Sequence, residues 1–190
     1  MHSAILNHIS KDIHLSKEEQ EEFLSILSEK KLGKKEFLIQ PGDIVTSEYY
    51  VVSGCLKAYY LDENGDKHII QFAVEDWWIS DFEAFFNKAP AQLYLETIED
   101  SVLLEIQKDA QEVLYQRIPK FERFFRLKIT GAFVSLRSRI LSSLQMNSKQ
   151  RYLEFCKSYP NIEKRVPNYH IANYLGIQPE SLSRIRKELL

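Results

Sequence analysis

The side chains best placed to do chemistry lie near the end of the sequence. Gln178 lies just before Pro179–Leu190, and Glu180, Ser181, Arg184 and Lys187 follow within it at steps of one or three. On a helix, residues three or four apart are neighbours, so Arg184 shares a face with Glu180, Ser181 and Lys187. A guanidinium on that face can donate two parallel hydrogen bonds to a guanine edge, and a carboxylate can accept from the amino group of a cytosine. Ser181, Ser183 and Lys187 can reach phosphate oxygens. Upstream, Pro167, Asn168 and Tyr169 open another helix, whose first amides suit a phosphate. The candidate contact set is Asn168, Tyr169, Gln178, Pro179, Glu180, Ser181, Ser183, Arg184 and Lys187.

Two short helices must position these groups. The spacing predicts one over Tyr169–Leu175 and a second over Pro179–Leu190, with proline at an early position. Ile171, Ala172, Leu175, Ile177, Leu182 and Ile185 are the apolar positions. Ala172 supplies the small residue where two steeply crossed helices touch. Gly176 supplies a turn residue tolerant of positive φ. The pattern is that of a helix-turn-helix. An ordinary helical hairpin with a solvated charged face is the alternative reading.

Charge favours the first reading. Residues 1–107 hold 9 Lys/Arg and 20 Asp/Glu, a net −11, whereas residues 108–190 hold 16 and 7, a net +9. A basic half attracts polyanions, so double-stranded DNA is the expected partner.

The rest of the chain changes period twice. Residues 16–32 read as a short amphipathic helix, with Ser16 and Glu19 spaced as a capping box. From about 35 to 106 the pattern is that of strands. Pro41-Gly42 and Ser53-Gly54 mark turns, and Asn64-Gly65 sits between Lys57–Leu61 and His68–Phe72 as a hairpin signal. Further strands are expected at Leu93–Ile98 and Val102–Ile106, while Trp78–Lys88 reads as irregular or briefly helical. Many short strands at this spacing predict an antiparallel sandwich or jelly roll. A short helix follows at Gln107–Gln116. Then Ile118, Phe121, Phe125, Ile129, Ala132, Leu136, Ile140 and Leu144 recur every three or four residues. That stripe is longer than a typical globular helix, and a second copy of itself is the economical cover. Arg117, Arg123, Arg126, Lys128, Arg137 and Arg139 flank it and are expected to be mostly solvated. A helix at 149–159 turns Tyr152, Leu153 and Phe155 inward, and Pro160 and Asn161 end it.

Other classes are disfavoured. No run of apolar residues exceeds four in the 190-residue chain, so no membrane span is expected. His8, Lys11, Asp12, Lys17 and Glu18 are unlike a signal peptide. Cys55 and Cys156 read as reduced thiols of a cytoplasmic protein. A cupin-like metal enzyme needs several converging ligands, and residues 35–106 hold one histidine, His68. An interaction module without DNA binding would not need an outward Glu180, Arg184 and Lys187. No enzyme activity, cofactor or metal is expected.

The run Val166-Pro167-x-x-x-Ile171-Ala172-x-x-Leu175-Gly176-Ile177-x-Pro179-Glu180-x-Leu182-Ser183-Arg184-Ile185-Arg186-Lys187, after a sandwich and a long helix, resembles a Crp/Fnr-type transcriptional regulator. The likeness covers about residue 20 to the end. Gly42-Asp43, Val52-Ser53-Gly54 and Asn64-Gly65 fall where a cyclic-nucleotide-binding-like domain has turns. It implies an α+β fold: an N-terminal jelly roll with flanking helices over 1–116, a dimerisation helix over 117–146, and a helix-turn-helix, winged-helix-like domain over 147–190. It implies base reading by Glu180 and Arg184, a backbone contact by Ser181, a homodimer through the 118–145 helix, and a pseudo-palindromic operator. RNA polymerase is a further candidate partner.

This sequence departs from the family pattern in three places. Members that bind cyclic AMP carry a Gly-Glu pair and then an Arg-Ser or Arg-Thr pair that grips the phosphate. Here those regions read Trp78-Ile79-Ser80-Asp81-Phe82-Glu83 and Ala89-Pro90-Ala91-Gln92-Leu93-Tyr94, and no arginine lies between 36 and 116. Without a guanidinium the bidentate grip is lost, so no cyclic AMP binding is expected. The cysteine cluster of an oxygen-sensing iron–sulfur member is absent too. Many relatives continue into wing strands beyond the reading helix, and the residues read here carry none. Trp77, Trp78, Phe82, Phe85, Gln92 and Tyr94 are the candidate effector pocket; they either line it for an unknown small molecule or fill it.

Overall fold

A computed structural model describes residues 2–160 and 162–189. Two helices open the chain, α1 (His2–Ser10) and α2 (Lys17–Ser25). Eight strands follow: β1 (Leu27–Leu32), β2 (Phe37–Ile39), β3 (Ser47–Ser53), β4 (Leu56–Leu61), β5 (Lys67–Ala73), β6 (Trp78–Ile79), β7 (Tyr94–Thr97) and β8 (Ser101–Gln107), with α3 (Phe82–Asn87) between β6 and β7. The helices α4 (Lys108–Arg117), α5 (Lys120–Gln145), α6 (Ser148–Ser158), α7 (Ile162–Arg165), α8 (Asn168–Leu175) and α9 (Pro179–Leu189) complete it. The strands form two four-stranded sheets, β1-β8-β3-β6 and β2-β7-β4-β5, the antiparallel jelly roll expected from the turn spacing.

The chain divides into two compact units, residues 1–58 with 73–130, and residues 59–72 with 131–190. This grouping differs from the three linear segments read from the sequence. Most of the β4–β5 hairpin, Tyr59–Phe72, belongs with the C-terminal helices, and α5 contributes to both units.

In the first unit, β3 and β8 are covered on both faces. Tyr49, Val51 and Leu103 point into a core with Leu56, Ile79, Phe85 and Leu95. Tyr50, Leu104 and Ile106 point the other way, into a core with Ile5, Phe23, Phe121 and Phe124. Alternate residues of a strand face opposite sides, so the unbroken Tyr49–Val52 run serves two cores. Gly54 sits at φ 107°, and an added Cβ would lie 2.6 Å from the Ser101 backbone. Only glycine fits that approach.

The capping box is present: Glu19 N–H donates to Ser16 Oγ at 3.2 Å, and Ser16 N–H donates to Glu19 Oε2 at 2.7 Å. The helix it starts is shorter than the 16–32 expected. It ends at Ser25, and Leu27–Leu32 pair antiparallel with Ile106–Ser101. Pairing with β8 satisfies this backbone and overrides the helical spacing. The helix α1, not read from the sequence, buries Ile5, His8 and Ile9. Ile118, the first residue of the expected stripe, instead caps α4. In α6, Tyr152 and Phe155 are buried, but Leu153 is 44% exposed. One helix face is wide enough for the first two side chains and not for their neighbour. The end assigned to Asn161 lies outside the described residues.

Candidate nucleic-acid interface

The reading unit is built from its turn outwards. Pro167 precedes α8 with φ −54° and ψ 141°, an extended geometry that proline favours. At the other end Gly176 takes φ 61°, ψ 41°, and Ile177 N–H closes back on Ala172 C=O at 2.9 Å. This left-handed stop satisfies carbonyls that the helix leaves open. Arg151 adds a side-chain cap, donating from Nη1 to Leu175 C=O at 2.8 Å. Ala172 is fully buried and Ile177 nearly so. Pro179 starts α9, where its missing N–H costs nothing.

The apolar residues of α9, Leu182 and Ile185, are buried. Gln178, Pro179, Glu180, Ser183, Arg184 and Lys187 are exposed, and Ser181 is half-buried. Glu180 and Arg184, four apart, share a face. Tyr169 is 59% exposed at the start of α8. Asn168 is exposed, but its Oδ1 accepts from Arg186 Nη1. Arg186 also pairs with Glu163 at 2.8 Å, and Glu163 accepts from the Tyr152 hydroxyl at 3.0 Å. Arg186 and Arg151 therefore brace the helix pair. Sequence reading passed over both, because their partners lie on α7 and α8 and no local spacing marks them.

The distal half of α5 is open. Ile129, Phe133, Val134, Leu136, Ile140 and Leu144 are each at least half exposed. Of the flanking basic residues expected to be solvated, Arg139 and Lys128 are not: Arg139 donates to Ile70 C=O at 2.6 Å with its guanidinium 4.6 Å from the Tyr174 ring, and Lys128 pairs with Asp12 at 2.6 Å with its ammonium 4.9 Å from the Phe124 ring.

The six candidate effector residues do not share one lining. Trp77 packs on the intersheet core with Phe85. Trp78 belongs to the other core, with ring centroids 5.5 Å from Tyr50 and 5.1 Å from Phe125. Phe82 stacks on Phe86 and Tyr94 leans on Phe37. The Gln92 side chain is exposed, whereas its backbone turns inward. The N–H groups of Gln92 and Leu93 donate to Asp81 Oδ2 at 2.9 and 3.0 Å, and Ala84 N–H donates to Asp81 Oδ1 at 3.2 Å. Asp81 is 2% exposed. Three backbone donors thus converge on a buried carboxylate of the chain itself. The sequence offered Asp81 only as one residue of an altered motif. Among the described residues no three His, Cys, Asp or Glu side chains converge to hold a metal.

The cyclic nucleotide-binding domain family matches residues 29–117. The anaerobic regulatory protein of Aggregatibacter actinomycetemcomitans is 26% identical over 183 residues, covering 90% of this chain and 70% of the relative. Regulatory protein HlyX of Actinobacillus pleuropneumoniae is 25% identical, covering 90% and 75%. Among solved structures, FixK2 from Bradyrhizobium japonicum superposes with a TM-score of 0.74 at 18% identity, over 86% of this chain and 84% of that one. The regulator CLP of Xanthomonas campestris does so with 0.71 at 16% identity, over 92% and 91%.

A domain similar to the cyclic nucleotide-binding family over residues 29–117 is thus followed by a long helix and a helix-turn-helix pair. Over nine-tenths of its length the chain is similar to transcriptional regulators of the Crp/Fnr type. No helix among the described residues is long and apolar enough to cross a membrane.

Proposed function

We propose that the protein binds a pseudo-palindromic operator as a homodimer, pairing through the distal half of α5 and placing α9 in successive major grooves. One observation carries the reading. Leu182 and Ile185 are buried while Glu180, Ser183, Arg184 and Lys187 are exposed on the same helix. Arg184 and Glu180 then read base edges, and Ser181, Ser183 and Lys187 hold the backbone. Tyr169 approaches from the start of α8, and Gln178 and Pro179 lie at the start of α9. Asn168 works through Arg186 as much as through a phosphate. The α5 face supports the dimer, because a helix with this much exposed apolar surface is costly to leave in water. In this reading half-sites lie about one helical turn apart.

The same reading makes the sensor independent of cyclic AMP. Asp81 already accepts the backbone donors of the segment where a phosphate-gripping pair would stand, and no arginine lies between 36 and 116 to attract one. Trp77 and Phe85 serve packing, and a small-molecule effector of another chemistry, an encounter with RNA polymerase and a cytoplasmic location belong to the same proposal.

Selection of bound duplexes from a random pool tests it. A two-fold related motif is expected. Arg184→Ala should weaken the best operator by about 1–3 kcal/mol and relax preference at one base pair per half-site. Equal affinity and selectivity in that variant would remove the base-reading assignment. Calorimetric titration with cyclic AMP should show no heat of binding.

A further inference from the structure

The second unit contains a cavity of about 390 Å³ bounded by α5, α6, α8 and the β4–β5 hairpin. Its wall includes β5, which is the last strand of its sheet. An edge strand leaves main-chain donors and acceptors without a strand partner. Here Asn173 of α8 acts as that partner. Its Oδ1 accepts from Ile69 N–H at 2.7 Å, and its Nδ2 donates to Lys67 C=O at 2.6 Å.

The same strand also holds α5. Arg139 donates to Ile70 C=O, one residue beyond the Asn173 contact. Its guanidinium rests on Tyr174, next to Asn173, and Tyr174 packs 5.2 Å from Phe72 of β5 and 5.7 Å from Phe155 of α6. Three side chains from two helices thus converge on a few residues of one strand. Hydrogen bonds to fixed backbone groups carry orientation as well as energy, because partner direction is constrained. Between α5 and α8 the chain leaves helical geometry at Met146–Asn147, at Tyr159–Pro160 and at Val166–Pro167.

We infer that Asn173 and Arg139 are positioning residues that clamp the α8–α9 reader and α5 to one strand edge, and so set the half-site spacing that the dimer accepts. This rests on the DNA-reading assignment above and extends it: α9 chooses the bases, and the clamp chooses the distance.

The two roles separate in one experiment. Duplexes carrying the selected half-sites at spacings from two base pairs short to two base pairs long are titrated with the full chain, with Asn173→Ala and with Arg184→Ala. The wild type is expected to prefer one spacing. Asn173→Ala should lose at least fivefold of that spacing preference while keeping the base preference within each half-site. Arg184→Ala should do the reverse. Arg139→Met, which keeps the apolar stem over Tyr174, should behave as Asn173→Ala does and guards against a variant that fails to fold. Hydrogen exchange without DNA supplies the second readout: the Ile69 amide should exchange at least tenfold faster in Asn173→Ala. Unchanged spacing preference in both clamp variants overturns the inference. If the wild type selects no duplex, the DNA-reading assignment has failed instead, and unchanged Ile69 exchange would then overturn the clamp by itself.

Discussion

The helix α5 carries one apolar stripe with two fates. Phe121, Phe124 and Phe125 are buried against α1, α2 and the sandwich, where Phe121 stacks on Phe23 at 4.7 Å. Past Thr130 the stripe continues in the same period, yet Phe133, Leu136 and Ile140 are at least half exposed. Same helix, same spacing, and one residue type at both ends: what differs is whether another surface of the same chain arrives to cover it. A hydrophobic period specifies a face and leaves its occupant open.

The largest expected effect breaks that comparison directly. Phe124→Ala removes a fully buried ring from the second core and should cost about 3–5 kcal/mol in urea unfolding. Phe133→Ala, nine positions on, should change the unfolding free energy of a dilute monomer by less than about 0.5 kcal/mol while weakening self-association in sedimentation. Equal losses for the two would mean that the distal stripe is already packed within one chain.

A similar contrast separates the two units in their use of charge. In the sandwich a carboxylate, Asp81, is turned inward onto three amides, whereas in α9 the carboxylate of Glu180 is left outward and available. Asp81→Ala leaves those buried amides without an acceptor and should cost on the order of 3 kcal/mol. If thermal unfolding were unmoved, water must replace the carboxylate, and the site would then be open to an added anion.

The C-terminal helices were legible because each local signal agreed with the packing. Ala172, Gly176, Pro179, Leu182 and Ile185 have one consistent arrangement, and the positive φ at Gly176 completes it. The strand at 27–32 was not legible, since its partners on β8 lie 69 to 79 residues away and its own spacing fits a helix. The effector set divides between the cores for a related reason. Trp77 and Trp78 are adjacent in sequence, and adjacency in extended backbone sends side chains to opposite cores. Asp81 and Asn173 gain their meaning only from backbone groups, which carry no sequence signature.

Glu48 gives the next effect, and it depends on pH. The residue is 5% exposed on β3 and accepts from Gln111 of α4. Burial pushes its carboxyl up from 4.5 to about 7, opposed by the Gln111 hydrogen bond. Between those values the folded chain holds a proton that the unfolded chain has released, so this group's stabilising contribution is full below 4.5 and is lost as pH rises through 7. Glu48→Gln keeps an acceptor for Gln111 and removes the titration. It should raise stability at pH 8 by about 1–3 kcal/mol and leave it nearly unchanged at pH 4. A shift of equal size at both values would place the effect in packing.

The smallest effect sharpens the division into units. Each unit starts a helix with a reciprocal capping box, Ser16 with Glu19 on α2, and Asn147 with Gln150 on α6, the latter with both hydrogen bonds at 3.0 Å. Replacing either cap by alanine should cost about 1 kcal/mol. The chemistry is alike, so the difference lies in where the loss is felt. Residue-resolved hydrogen exchange should show Ser16→Ala loosening α2 and the phenylalanine core around Phe23. Asn147→Ala should loosen α6 and, through its packing, α9, with the sandwich amides unmoved. Loosening of both units by either variant would mean that they open as one cooperative body, and the two fates of the α5 stripe would then belong to a single core rather than to a core and a free face.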